Sequence, residues 1–244
     1  MTTASKTVLI TGGNAGIGLA LAERFLAAGS EVVICGRRED RLQQVRDSHP
    51  GICTRVCDVG SRSDREALVQ WATSEFPSLD VLVNNAGVQR RIDMVDGEPW
   101  EETESEITIN LEAPIHLSML FIPHLLKQTS PAIVNVTSGL SFVPLANVPV
   151  YCATKAALHS FTLSLRHQLS TTPIEVIEII PPAVDTDLGG VGLHTFGVPL
   201  DEFADSTFTR LSAGETEIAY GTAEHSRRAS QQERDEIFAR MNGG

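Results

Sequence analysis

One alternation dominates the sequence. Short runs rich in β-branched residues are separated by longer stretches with helical periodicity. The runs are TVLI (7–10), EVVIC (31–35), ICTRVC (52–57), DVLVN (80–84), AIVNVT (132–137), IEVIEII (174–180) and TEIAY (216–220). Several are apolar nearly throughout, as strands covered on both faces must be. After the first run, Ile17, Leu21, Phe25 and Ala28 recur at helical spacing, and SRSDRE gives the stretch 61–76 a polar, helix-capping start. This alternation predicts an α/β fold: a Rossmann-like, doubly wound parallel sheet of about seven strands with helices on both faces. No internal repeat or linker breaks the 244 residues, so residues 1–244 read as one domain.

The turn after the first strand is TGGNAGIG (11–18). Gly12, Gly13, Gly16 and Gly18 allow a sharp turn and a close approach to a ligand. The helix that opens there presents free N–H groups and a dipole end suited to an anion. Strand, glycines and helix start in that order point to a phosphate-bearing ligand. The spacing departs from G-x-G-x-x-G, because Leu21 stands where the third glycine would be.

The stretch YCATKAALHS (151–160) sets Tyr151 and Lys155 four positions apart in a helix-favouring run. The pair is either a chance neighbour pair on a solvated helix face or a phenol made usable as an acid by an ammonium.

TGGNAGIG followed by Tyr151-x-x-x-Lys155 resembles the single-domain branch of the short-chain dehydrogenase/reductase family. NNAG (84–87) after the fourth strand, Asn110 in the helical segment that follows, and Ser138 at the end of the fifth strand fit the same resemblance, which covers roughly residues 6–187. The contexts PVYCATKAALHS, NNAGVQR and PPAVDT also resemble a DltE-type oxidoreductase subgroup, a likeness that identifies no substrate. The resemblance implies four catalytic residues. Tyr151 exchanges a proton with the substrate oxygen, Lys155 lowers the tyrosine pKa and binds the nicotinamide ribose, Ser138 holds the carbonyl or alcohol, and Asn110 supports a water chain to Lys155. The physics is compatible. An ammonium ~4 Å from a phenol, at an effective dielectric of about 20, favours the phenolate by up to about 4 kcal/mol, enough to bring it toward neutral pH.

The same resemblance implies a dinucleotide held by Gly12, Asn14, Gly16, Ile17, Gly18, Asp58, Val59, Asn85, Ala86, Gly87, Tyr151, Lys155, Pro181, Val184 and Thr186. An NAD site needs an acid at the end of the second strand, but there the chain reads EVVICGRR: Gly36 takes the acid's place and Arg37 and Arg38 follow. An arginine fork matches a 2′-phosphate, so NADP(H) is favoured, with NAD(H) possible. PPAVDT (181–186) resembles the family's P-G-x-x-x-T, except that Pro182 replaces the glycine and removes an N–H.

The expected activity is reversible hydride transfer between NADP(H) and a ketone/aldehyde–alcohol pair, with a small-molecule substrate. A catalytically silent nucleotide sensor on the same fold is the alternative. Loss of Ser, Tyr or Lys would have favoured it, and all three are present. The extended branch of the family, with T-G-x-x-G-x-x-G and a longer C-terminal domain, does not match.

Composition narrows the partners. A net charge of −12 argues against nucleic acid, and no run of 18 apolar residues predicts a membrane span. MTTASK leads directly into the first strand without a signal peptide, which fits a cytoplasmic protein. Cys35, Cys53, Cys57 and Cys152 are scattered and form no C-x-x-C pair, and the seven histidines show no ligand spacing, so no metal site is expected. His116 and His159 read as packing or interface residues. The sequon at Asn135 lies in an apolar strand and is set aside.

Three segments resist assignment. Segment 104–127 is apolar nearly all round, with Pro114 and Pro123 as expected kinks; its cover implies a partner subunit, hence a homodimer or homotetramer. Residues 187–215, with DLGGVGLHTFGVPLDEF, read as a mobile substrate loop and a short helix. Gln89, Arg90 and Arg91 either reach the site mouth or form a solvated loop, and AEHSRRASQQERDEIFARMNGG reads as a terminal polar helix of unassigned purpose.

Overall fold

The computed structural model describes residues 3–95, 97 and 99–243. Each of the seven expected runs is a strand: β1 (Thr7–Thr11), β2 (Glu31–Gly36), β3 (Ile52–Val56), β4 (Val81–Asn84), β5 (Ala132–Val136), β6 (Glu175–Ile180) and β7 (Glu217–Ala219). They form one parallel sheet in the order β3-β2-β1-β4-β5-β6-β7. The order reverses between β1 and β4, whose pairing aligns Val8 with Val81 and Ile10 with Val83. A crevice opens outside the carboxyl ends of the strands at such a reversal.

The helices are α1 (Gly16–Ala27), α2 (Glu39–Ser48), α3 (Arg62–Glu75), α4 (Trp100–Ile107), α5 (Ala113–Leu125), α6 (Pro149–Gln168), α7 (Leu200–Ser212), α8 (Thr222–Arg228) and α9 (Gln231–Met241). Side-chain alternation along the strands divides the core into two layers. Val8, Ile10, Val32 and Ile34 pack with Leu21 and Phe25 of α1 and Phe203 of α7, whereas Leu9, Val33 and Leu82 pack with Leu68 of α3 and Leu117 and Phe121 of α5. Ser61 caps α3 as expected, its hydroxyl accepting from Asp64 N–H. No helix among the described residues is long and apolar enough to cross a membrane.

Segment 104–127 differs from expectation. Neither proline kinks a long helix. Pro114 is the second residue of α5, which continues from the preceding turn without a break, and Pro123 lies in its last turn. The irregularity is a π-turn, Thr108–Glu112, in which Ala113 N–H bonds Thr108 O five residues back. Pro114 cannot donate to the Asn110 carbonyl four residues earlier, and its ring crowds that carbonyl, so the turn widens. One face of α5 is covered by its own chain through Leu117, Phe121 and Leu125, while Met119 and Leu126 stand exposed.

Residues 187–197 form turns rather than regular structure, closed by a parallel bridge between Val184 and Val198. The helix that follows, α7, has 13 residues and is longer than the sequence suggested. The C-terminal stretch is two helices, with Ser230 and Glu233 forming a capping box at the start of α9.

Candidate active site

A cleft of about 940 Å³ lies along the carboxyl ends of β1, β4, β5 and β6. Its floor is the glycine turn laced to the NNAG segment. Thr11 Oγ1 accepts from the N–H groups of Asn85 and Ala86, both at 3.0 Å, and donates to Val83 O at 3.2 Å. The Asn85 side-chain amide donates to the carbonyls of Thr11 (2.9 Å) and Gly12 (3.2 Å). Gly12 sits at φ +64°, and a Cβ there would stand 2.8 Å from Ala86 Cα, so only glycine permits this approach. The first turn of α1 has no side-chain cap and no acid, which leaves its N–H groups open to an anion at the cleft wall formed by Asn14, Gly16 and Ile17. Gly18 stands behind that wall: its α-carbon packs against the Asn85 side chain and the Gly12 carbonyl.

At one end the cleft is lined by Gly36, Arg37, Arg38, Arg41, Cys57 and Val59. Arg37 and Arg38 are exposed. A Cβ at Gly36 would meet the Asn14 side chain at 3.0 Å, so a side chain there requires Asn14 to shift by a few tenths of an ångström. Asp58 is fixed by its own turn. Its Oδ1 accepts from Gly60 N–H at 2.9 Å, beside the cleft residues Cys57 and Val59.

Ser138, Tyr151 and Lys155 meet at the other end. Ser138 follows β5 and its hydroxyl caps a short 3-10 turn, accepting from Leu140 N–H at 3.1 Å. Pro149 opens α6, and the four-residue spacing puts Tyr151 and Lys155 on its inward face. Lys155 Nζ donates to Val136 O at 2.8 Å and lies 5.7 Å from the Tyr151 ring centre. Asn110 lies behind them: its side chain accepts from Val88 N–H (2.9 Å) and donates to Val88 O (2.8 Å) and Thr154 Oγ1 (3.3 Å).

Burial dominates the electrostatics of the Tyr151–Lys155 pair. Burial pushes the Tyr151 phenol above its ordinary range, and the facing Ser138 hydroxyl pulls it only partly back. Burial also lowers Lys155, to about 8. Lys155 is not among the causes of the Tyr151 shift: its ammonium lies 5.7 Å from the Tyr151 ring centre and is itself desolvated.

Pro181, Pro182, Val184 and Thr186 line the cleft, with Gly139 N–H bonded to Pro181 O at 2.8 Å. Gln89 and Arg90 also line it; Arg90 Nε bonds Glu102 at 2.8 Å, whereas Arg91 is exposed and off the wall. The walls beyond Tyr151 were not legible in the sequence: Leu140, Val143 and Leu145 from the chain before α6, and Ile237, Arg240 and Met241 from α9. His159 is bound to the buried Glu178 at 2.9 Å and His116 to Arg65 at 3.0 Å, both away from the cleft. The sequon residues Asn135 and Thr137 are buried.

A sheet with this switch point, a glycine turn at it and a Ser–Tyr–Lys end define a dinucleotide-type dehydrogenase site. Residues 6–191 match the short chain dehydrogenase family, and the chain belongs to that family. Within it the chain is of the DltE type: it is 52% identical to the uncharacterised oxidoreductase DltE of Bacillus subtilis (strain 168), over 98% of this chain and 97% of that one. Two solved structures share the fold. A short chain dehydrogenase from Burkholderia cenocepacia J2315 in complex with NADP superposes with a TM-score of 0.85 at 24% identity, covering 99% of both chains. A short chain dehydrogenase/reductase from Burkholderia phymatum in complex with NAD gives 0.84 at 21% identity, covering 97% of this chain and 96% of that one.

Proposed function

We propose that this chain is an NADP(H)-dependent oxidoreductase acting reversibly on a ketone/aldehyde–alcohol pair, of the carbonyl reductase/alcohol dehydrogenase type, and that it works in the cytoplasm as a homo-oligomer. The observation that carries this reading is the convergence of Ser138, Tyr151 and Lys155 on one cleft continuous with the glycine turn. The cleft fits a dinucleotide: Gly12 leaves room for a close approach, and the uncapped start of α1 suits a pyrophosphate. Arg37 and Arg38, with no acid at Gly36, suit a 2′-phosphate. Asn85, Ala86, Gly87, Val59, Pro181, Val184 and Thr186 complete the wall.

The bound dinucleotide supplies or takes the hydride. Ser138 orients the substrate oxygen by a hydrogen bond, and Tyr151 donates the proton that this oxygen takes up. A phenol shifted upward by burial holds its proton at neutral pH, which suits reduction. Oxidation needs the phenolate and therefore rises with pH. Lys155 carries its charge below about 8 and loses it above, so reduction declines there. Asn110 holds the Val88 loop and Thr154 in place behind the lysine.

The test is Tyr151→Phe assayed against a panel of ketones and aldehydes with NADPH and with NADH. The expected loss is at least ~10²-fold in kcat, with dinucleotide binding retained and NADPH preferred by the unmutated chain. Near-normal turnover of Tyr151→Phe on an identified substrate would overturn the reading.

A further inference from the structure

The C-terminal helix α9 is a wall of the reaction cleft. It is held against the chain between Ser138 and Tyr151. Ala146 N–H donates to Asn242 Oδ1 at 2.6 Å, and Asn242 Nδ2 donates to Pro144 O at 3.2 Å. Ile237 packs with Val143 and Ala229, and the Arg234 guanidinium lies 5.6 Å from the Phe142 ring centre. So anchored, α9 brings Ile237, Arg240 and Met241 to the cleft.

The charges on the cleft wall are unlike those of the chain. The net charge is −12, yet the cations lining the cleft are Arg37, Arg38, Arg41, Arg90, Lys155 and Arg240. Asp187 is the sole carboxylate on that wall among the described residues. Under the proposed function, Arg37, Arg38 and Arg41 face the phosphate of the dinucleotide. Lys155 is bound to Val136 O, and Arg90 is paired with Glu102. Arg240 is left over.

No hydrogen bond or ion pair within the described residues engages Arg240. Glu236, one turn earlier on α9, accepts from Gln232 at 3.1 Å; Asp235 accepts from Gln231 at 2.9 Å, and Glu233 is used in the cap with Ser230. Apolar contacts run from the Tyr151 end to α9: Leu140 and Leu145 pack with Tyr151, and Val143 packs with Ile237, one turn before the exposed Arg240, while Thr222, His225 and Ser226 share the cleft wall. A ligand matching these contacts has an oxygen at Tyr151, an aliphatic body and an anionic end. A single guanidinium balances one negative charge, and its fork matches the two oxygens of a carboxylate.

We infer that Arg240 is a specificity-determining residue, and that the substrate of this site is an aliphatic oxo acid or hydroxy acid whose carboxylate binds Arg240. The inference rests on the oxidoreductase reading for the assignment of the other cations, and it deepens that reading by naming the substrate class.

The experiment is calorimetric titration of medium-chain oxoalkanoates, each against its own primary amide, into protein saturated with NADP+. Carboxylates are expected to bind at least ~10-fold more tightly than their amides. Arg240→Gln should abolish that difference, and Arg240→Lys should retain part of it. Quenching of NADPH fluorescence reports whether each variant keeps the folded cleft. Equal binding of acid and amide, including no binding of either, overturns the inference, as does an acid preference that survives in a folded Arg240→Gln protein. These outcomes are separate from failure of the oxidoreductase reading, which is read from the turnover of Tyr151→Phe.

Discussion

Glu106 lies in the last turn of α4 with its side chain wholly removed from solvent. Burial raises its pKa to about 7 against the opposing pull of Arg90, whose main-chain N–H and guanidinium both favour the charged form. The folded chain thus binds this proton more tightly than the unfolded chain does. Between about 4.5 and about 7 the folded state holds more protons, so the contribution of Glu106 to stability falls as pH rises through that window. Glu106→Gln is expected to stabilise the protein by on the order of 2 kcal/mol at about pH 8 and to be nearly neutral at about pH 5. Calorimetric melting of both proteins at the two pH values checks this. An equal effect at both would show that the carboxylate charge is not what costs stability. Nothing in ETESEITIN marks Glu106 as buried, because its neighbours Glu102 and Glu104 are ordinary acids on the same stretch.

Between elements, Arg65 of α3 is the buried junction. Only 1% exposed, it donates to Val59 O at 2.7 Å, to His116 Nδ1 of α5 at 3.0 Å and to Glu112 of the π-turn at 2.5 Å. It therefore couples the loop after β3, which lines the Arg37 end of the cleft, to the turn that carries Asn110. Arg65→Ala leaves the Val59 carbonyl unpaired and a void between two helices. Glu112 is more than half exposed and can rehydrate, which limits the cost to about 2–3 kcal/mol. The urea midpoint should fall accordingly, and NADPH should bind more weakly through the displaced Val59. An unchanged midpoint would mean that this junction is dispensable. The periodicity of 61–76 predicts the helix and its cap, but an arginine in a polar opening gives no sign of its burial.

For the molecule as a whole, the exposed apolar side of α5 bears on assembly. Its inner face is covered by the sheet, but Met119 is 64% exposed and Leu126 45%. The sequence expectation of a partner covering this segment is therefore retained for the outer face alone. Met119→Glu should shift sedimentation toward the monomer while leaving the melting of each subunit little changed. A chain that sediments as a monomer before mutation would end the proposal. The contrast between a chain of net charge −12 and a cation-lined cleft also belongs to this scale. An anionic ligand meets the attraction only once it reaches the cleft, so affinity should weaken as salt rises.

What the sequence determined by itself is the set of seven strands, their parallel arrangement, the glycine turn and the four-residue spacing of Tyr151 and Lys155, whereas the family resemblance singled out Ser138 and the roles of all three. Each is written in local terms: a strand covered on both faces must be apolar throughout, and a four-residue spacing places two side chains on one helical face. Tertiary structure alone decided the rest. It buried Tyr151, Lys155 and Glu106, which shifts their pKa values, and it brought α9 to the wall through Asn242 and residues 144–146. Burial and charge are sums over neighbours far apart in the chain, and no local pattern of residues encodes them.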